Sequence, residues 1–135
     1  MSEANHPLVA VHGTAVRAID RQTGRLLWEY AAKLSVVRFA LAGGRVFALD
    51  DSCRVHCIDV ATGAAVGVVQ IDREERSACA LVADGDILYA ATSKSVVAID
   101  GRGQIAWRTD VGGAFSARAG LGLPNNVMQP DFYGA

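Results

Sequence analysis

The chain has 135 residues, 51% hydrophobic and 20% charged, which suits one folded domain; two domains would each be too small to bury a core comfortably. Thirteen basic against fourteen acidic residues leave a net charge of -1, and this excludes the broad basic field that non-specific binding to nucleic acid or an anionic membrane needs. The longest uncharged runs, residues 60–71 and 119–130, fall short of the roughly 20 apolar residues of a membrane span, and the first seven residues lack a signal-peptide pattern, so a cytoplasmic location is expected.

In chain order the first expected strand is Leu8 to Val11, turned at His12-Gly13 into a second strand that ends in Ala18-Ile19-Asp20. Thr23-Gly24 then makes a turn before the strand Arg25 to Tyr30. The same phrase returns as Cys57-Ile58-Asp59 with Thr62-Gly63, and again as Ala98-Ile99-Asp100 with Gly103. The isoleucines are 39 and 41 residues apart, a period near 40 without helical patterning, which signals a repeated β unit. Each phrase is preceded by a strand, Arg45 to Leu49 and Asp86 to Ala90 in the later copies, and followed by another, Ala64 to Val69 and Gln104 to Trp107.

The turn chemistry has a physical basis. An Asp side chain can accept from backbone amides two residues on, and glycine tolerates the left-handed backbone such a turn requires. Asp20, Thr23, Gly24, Asp59, Thr62, Gly63, Asp100 and Gly103 are therefore expected to be structural residues of the repeat. The phrase strands are apolar on both faces, with Val55 and Cys57 against Ile58 in the second copy, as suits a strand lying between two sheets.

Ala18-x-Asp20-x-x-Thr23-Gly24-x-x-x-Trp28 resembles the tryptophan-docking repeat of the pyrroloquinoline-quinone (PQQ)-like, or quinoprotein-type, β-propellers. The resemblance implies that Trp28 packs between adjacent blades. Ala98-x-Asp100-x-x-Gly103-x-x-x-Trp107 keeps the frame with its glycine one residue early, whereas the second copy has Gly67 where the tryptophan would stand, so its inter-blade contact must be made differently or be looser. The likeness spans roughly residues 8 to 110.

A blade of this kind has four strands. Copies two and three have their first strands at Val36 to Ala42 and Ser77 to Ala83, whereas only seven residues precede Leu8. The chain is thus expected to begin in mid-blade, with residues 114–119 as the missing first strand. The expected fold is all-β: a partial propeller of three four-stranded blades and twelve strands over residues 1–119, followed by a tail, 120–135. Three blades are fewer than the typical 4 to 8 of a closed ring. Closure is expected from a head-to-tail homo-oligomer, a dimer by preference, or from a different protein. Phe115, Phe132 and Tyr133 are candidate interface residues.

Chemical constellations are thin. Cys53, His56 and Cys57 form the nearest thing to a metal cluster, but a strand would point His56 away from the cysteines, and a structural zinc site needs four ligands. Cys57 stands where Ala18 and Ala98 stand, as a small core residue would. Asp50-Asp51 lacks the alternating oxygens of a calcium loop and reads as a solvated turn. No nucleophile elbow surrounds any serine, and Gly43-Gly44 precedes a strand, not a phosphate-binding helix. Quinoprotein enzymes have about eight blades and often two adjacent cysteines, and neither is seen here. The expectation is a non-catalytic scaffold or protein-interaction module with no cofactor and no metal, its partners being itself or other proteins. The alternative is a small-molecule or cofactor binder in the channel, a degenerate quinoprotein-type oxidoreductase.

Overall fold

The structure, a computed structural model, describes residues 6–71, 80–112, 119–124 and 126–128. Every regular element among them is a strand. The first sheet holds β1 (Leu8–His12), β2 (Ala15–Ile19) and β3 (Leu26–Ala31) in the order β1-β2-β3. The second holds β4 (Val36–Ala42), β5 (Arg45–Asp50), β6 (Arg54–Asp59) and β7 (Ala65–Gln70), and the third β8 (Ala80–Asp84), β9 (Ile87–Ala91), β10 (Ser95–Ile99) and β11 (Ile105–Asp110). Each is an antiparallel meander, as short hairpin loops dictate. These are three blades of a partial propeller, and β4 packs on β8 and β9 so that the meanders stack as a fan.

The repeat phrase performs the same local work three times. Oδ1 of Asp20, Asp59 and Asp100 accepts from the amides of Gln22, Ala61 and Arg102, at 2.8, 3.3 and 2.9 Å. Gly24, Gly63 and Gly103 take φ values of 75°, 79° and 76°, a region other residues reach only with strain. In each blade the pairing of the last two strands slips by one residue at the same place, after Ala18, Cys57 and Ala98. That bulge lets the outermost strand follow the turn.

Two apolar clusters hold the blades together. Val9 and Val16 of the first blade meet Val46, Ala48, Ile58 and Val60 of the second, with Trp28 and Tyr30 packed against them. Phe47, Leu49, Val55 and Cys57, on the opposite face of the second blade, meet Leu81, Leu88, Ala90, Val97 and Ile99 of the third. The middle blade is therefore apolar on both faces because both are covered, and Val46, Phe47, Ala48, Val55, Cys57 and Ile58 have no solvent exposure.

Eleven of the twelve expected strands lie among the described residues, the twelfth being the segment at 114–119, and part of the tail adds a hairpin, β12 (Leu121–Leu123) with β13 (Asn126–Met128), which packs on β8 and, through β12, on β9. One expectation needs correction. Asp50 is not solvated: it is 1% exposed, although Asp51 beside it is half-buried. The first blade has three strands among the described residues, with the outer edge of β1 unpaired. The proposed clasp at 114–119, with Phe115, lies almost wholly outside the described residues, as do Phe132, Tyr133 and Cys79.

Candidate functional site

The positions where this chain does something specific are the joints between blades. Trp28 projects from β3 onto the second blade, where its Nε1–H donates to the carbonyl of Val60 at 2.8 Å. Its ring covers Gly63 so closely that a Cβ there would fall 2.6 Å from Trp28 Cδ2. Trp28 thus packs on the second blade, and Gly63 has two reasons to be glycine: its backbone angle and the aromatic ring above it.

The second joint is made differently, as the missing tryptophan requires. Gly67 lies at the register position of Trp28, opposite Cys57 as Trp28 lies opposite Ala18. With no side chain at either residue, the backbones of Gly67 and Gly103 approach each other: a Cβ on Gly67 would meet the Arg102 carbonyl at 2.8 Å, and one on Gly103 would meet Gly67 Cα at 3.1 Å. The hydrogen bond of the absent indole is supplied by Arg45, whose Nε donates to the carbonyl of Gly101 at 2.7 Å. Gly101 follows Asp100 as Val60 follows Asp59, so the same turn carbonyl is satisfied in both joints, once by an indole and once by a guanidinium. Arg108 adds a third link, from Nη2 to the carbonyl of Ile71 at 3.0 Å.

A buried polar chain reinforces the first joint. Tyr30 Oη lies 2.7 Å from His56 Nδ1, and His56 Nε2 lies 2.8 Å from Asp50 Oδ2. In the neutral ring, Nε2–H donates to the carboxylate and Nδ1 accepts from the hydroxyl. Asp50 also accepts from Arg54 Nε at 3.0 Å and from the Ser52 amide and hydroxyl, both at 2.9 Å. Burial pushes the Asp50 carboxyl up, but the bonds from His56, Arg54 and Ser52 more than offset it and hold the group below the ordinary carboxylate value. Hydroxyl, imidazole and carboxylate in a row have the connectivity of an activated nucleophile. Burial nonetheless pushes the Tyr30 hydroxyl up, so it keeps its proton and acts as a donor between blades. Sequence reasoning missed this chain and Arg45, because both depend on residues 26 and 56 positions away.

The cysteines behave as core. Cys53 and Cys57 are buried in the same cluster, whereas His56 reaches the opposite blade. Burial pushes the Cys57 thiol up to about 11, with Arg45 lowering and Asp100 raising it. Among the described residues no group of three or more His, Cys, Asp or Glu could hold a metal. Trp107, the other expected docking residue, is placed where Trp28 is, opposite Ala98, with its ring 6.0 Å from that of Tyr89. It is 47% exposed.

Many solved structures share this architecture, three of them as follows. BamB from Moraxella catarrhalis is 20% identical with a TM-score of 0.70, over 90% of this chain and 43% of that one. The computationally designed Ika8 protein is 17% identical with a TM-score of 0.71, over 96% and 41%. The quinohemoprotein alcohol dehydrogenase from Comamonas testosteroni is 20% identical with a TM-score of 0.60, over 78% and 20%. The chain thus spans less than half the length of each, and at these identities the likeness is one of fold. No curated protein matches the sequence. The family described as outer membrane protein assembly factor BamB matches residues 12–114, and the chain belongs to that PQQ-like repeat family.

Proposed function

We propose that this chain is a non-catalytic protein-interaction module that works as a subunit of an assembly, a head-to-tail homodimer by preference. The observation that carries the reading is an uncovered apolar face. Phe39 and Leu41 on β4 share a face with Ala48 and Val46, the face that meets the first blade. In the next joint β4 itself covers β8, but the first blade has no strand in the corresponding place among the described residues, and Phe39 and Leu41 remain 39% and 41% exposed. Exposed apolar surface of this kind, beside the open edge of β1, is the mark of a site that another polypeptide fills. The similarity to BamB, an assembly factor by name, supports the same class of function.

In this reading the segment 114–119 of one subunit supplies the strand that the first blade of the next lacks. Native mass spectrometry of the purified protein tests the assembly. A dimer, or a stoichiometric complex with another protein, supports it; a monomer that remains soluble at high concentration overturns it. Truncation after Asp110 is expected to give aggregated protein, and a well-behaved truncated dimer would remove the clasp. The same preparation decides against the channel-cofactor alternative if it carries no chromophore and no ligand mass.

A further inference from the structure

We propose that the outward face of the third blade is a docking surface for the first blade of a second copy of this chain, with Trp107 seated on the turn that ends at Gly24 of the partner subunit. The proposal rests on the assembly reading above and specifies the joint. The two internal joints supply the pattern, and the first and third blades present its two halves.

The half that receives is on the first blade. The residues that face a preceding blade are Val46, Ala48 and Ile58 in the second blade and Leu88, Ala90 and Ile99 in the third, all without exposure. By strand register their counterparts in the first blade are Leu8, Ala10 and Ile19. These are joint residues in kind, yet Leu8 is 54% exposed and the other two are only half-buried. The turn tells the same story. The space above Gly63 holds Trp28 and the space above Gly103 holds Gly67, whereas a Cβ on Gly24 would meet nothing within 4 Å. The carbonyl of Arg21 stands where those of Val60 and Gly101 stand, and those two accept from Trp28 and Arg45.

The half that inserts is on the third blade. Trp107 has the register position of Trp28 and points away from the second blade, toward which the neighbouring Arg108 reaches. The β12–β13 hairpin packs on β8 and, through β12, on β9, whereas no contact of it with β11 stands out among the described residues and Trp107 is 47% exposed. Seated as Trp28 is, Trp107 would donate its Nε1–H to the carbonyl of Arg21 of the partner subunit.

Polarity matching favours a second copy over an unrelated protein. At one register position the first joint pairs Tyr30 with His56, polar with polar. The second places Val69 and Val97 in one apolar cluster. The corresponding pair across the proposed joint is Thr109 with Arg17 of the partner subunit, again polar with polar. Both halves lie on one chain, so the contact is heterologous and two copies can close into a ring of six blades, within the usual 4 to 8.

The test is sedimentation velocity across a concentration series, with Trp107→Ala, Trp107→Phe, Gly24→Ala and Gly13→Ala. Gly13 and Gly24 have φ values of 60° and 75° and open space in the chain, so both substitutions strain the turn alike, but only Gly24→Ala places a methyl under the docking indole. We expect Trp107→Ala and Gly24→Ala to weaken association by at least about tenfold, and Gly13→Ala to match the parent. Trp107→Phe, which keeps most of the apolar area, should weaken it less. Should Gly24→Ala fail to fold, the two Trp107 variants decide. An oligomer insensitive to them overturns this joint while leaving the assembly reading intact; a parent that is monomeric throughout overturns both.

Discussion

The ring of Trp28 and the bare Cα of Gly63 form a single contact shared by two blades, in which a methyl group on the glycine would stand 2.6 Å from Cδ2 of the indole. A rigid ring that also hydrogen-bonds the Val60 carbonyl cannot slide away without losing that bond. Gly63→Ala is therefore expected to cost roughly 2–4 kcal/mol, the sum of overpacking and a left-handed alanine. Gly13→Ala, with similar φ and open space, should cost only about 1–2 kcal/mol. Urea denaturation of the two variants checks the difference, and equal losses would mean that the ring does not press on Gly63.

The two tryptophans share a place in the repeat but not an environment. Trp28→Ala should cost about 2–4 kcal/mol, because it empties an inter-blade site and leaves the Val60 carbonyl without its donor. Trp107→Ala should cost under about 1.5 kcal/mol when measured at concentrations where the chain is monomeric, since nearly half of that residue is already in water. Comparable losses under those conditions would show that Trp107 is covered within its own chain.

Arg45→Met keeps the aliphatic stem and removes the guanidinium that holds the Gly101 carbonyl at 2.7 Å. The expected loss is about 1–2 kcal/mol. Arg45→Lys should recover little of it, because a single ammonium group does not reproduce the side-on Nε–H. The ion pair of Arg45 with Asp59, at 3.5 Å and partly exposed, contributes little by comparison. A loss below about 0.5 kcal/mol in thermal or chemical unfolding would place the strength of the second joint in the glycine contact alone.

Acid should reach the fold through Asp50. Its folded pKa is depressed, so its contribution is complete above the unfolded value of about 3.9 and is lost as pH falls through the lower folded value. The thermal midpoint should therefore fall steeply below about pH 4. Asp50→Asn should lower the midpoint at neutral pH and flatten the acid limb. Some acid sensitivity should persist from Asp100, which the Gln104 and Arg102 amides also hold low. An acid limb as steep in Asp50→Asn as in the parent would remove Asp50 from this account.

What the sequence alone determined was what depends on neighbours along the chain. Asp20, Asp59 and Asp100 serve amides two residues away, and the glycine turns and hairpin pairings close over short loops, so a period near 40 residues was enough to read a repeated β unit, and the resemblance to the tryptophan-docking repeat implied the place of Trp28. It also showed that Gly67 would leave a joint without its indole. Which groups fill that gap was decided only by tertiary structure: Arg45 is 56 residues from Gly101, and no local pattern marks a surface arginine as a substitute for a tryptophan. Asp50 looked like a turn residue because acidic pairs after a strand usually are. The stacking of the first blade on the second brought Tyr30 to His56, and His56 and Arg54 in turn supplied the donors that let a carboxylate lie at 1% exposure. Burial and pairing of polar side chains depend on which faces meet in space, and that is settled by how one blade is laid on the next.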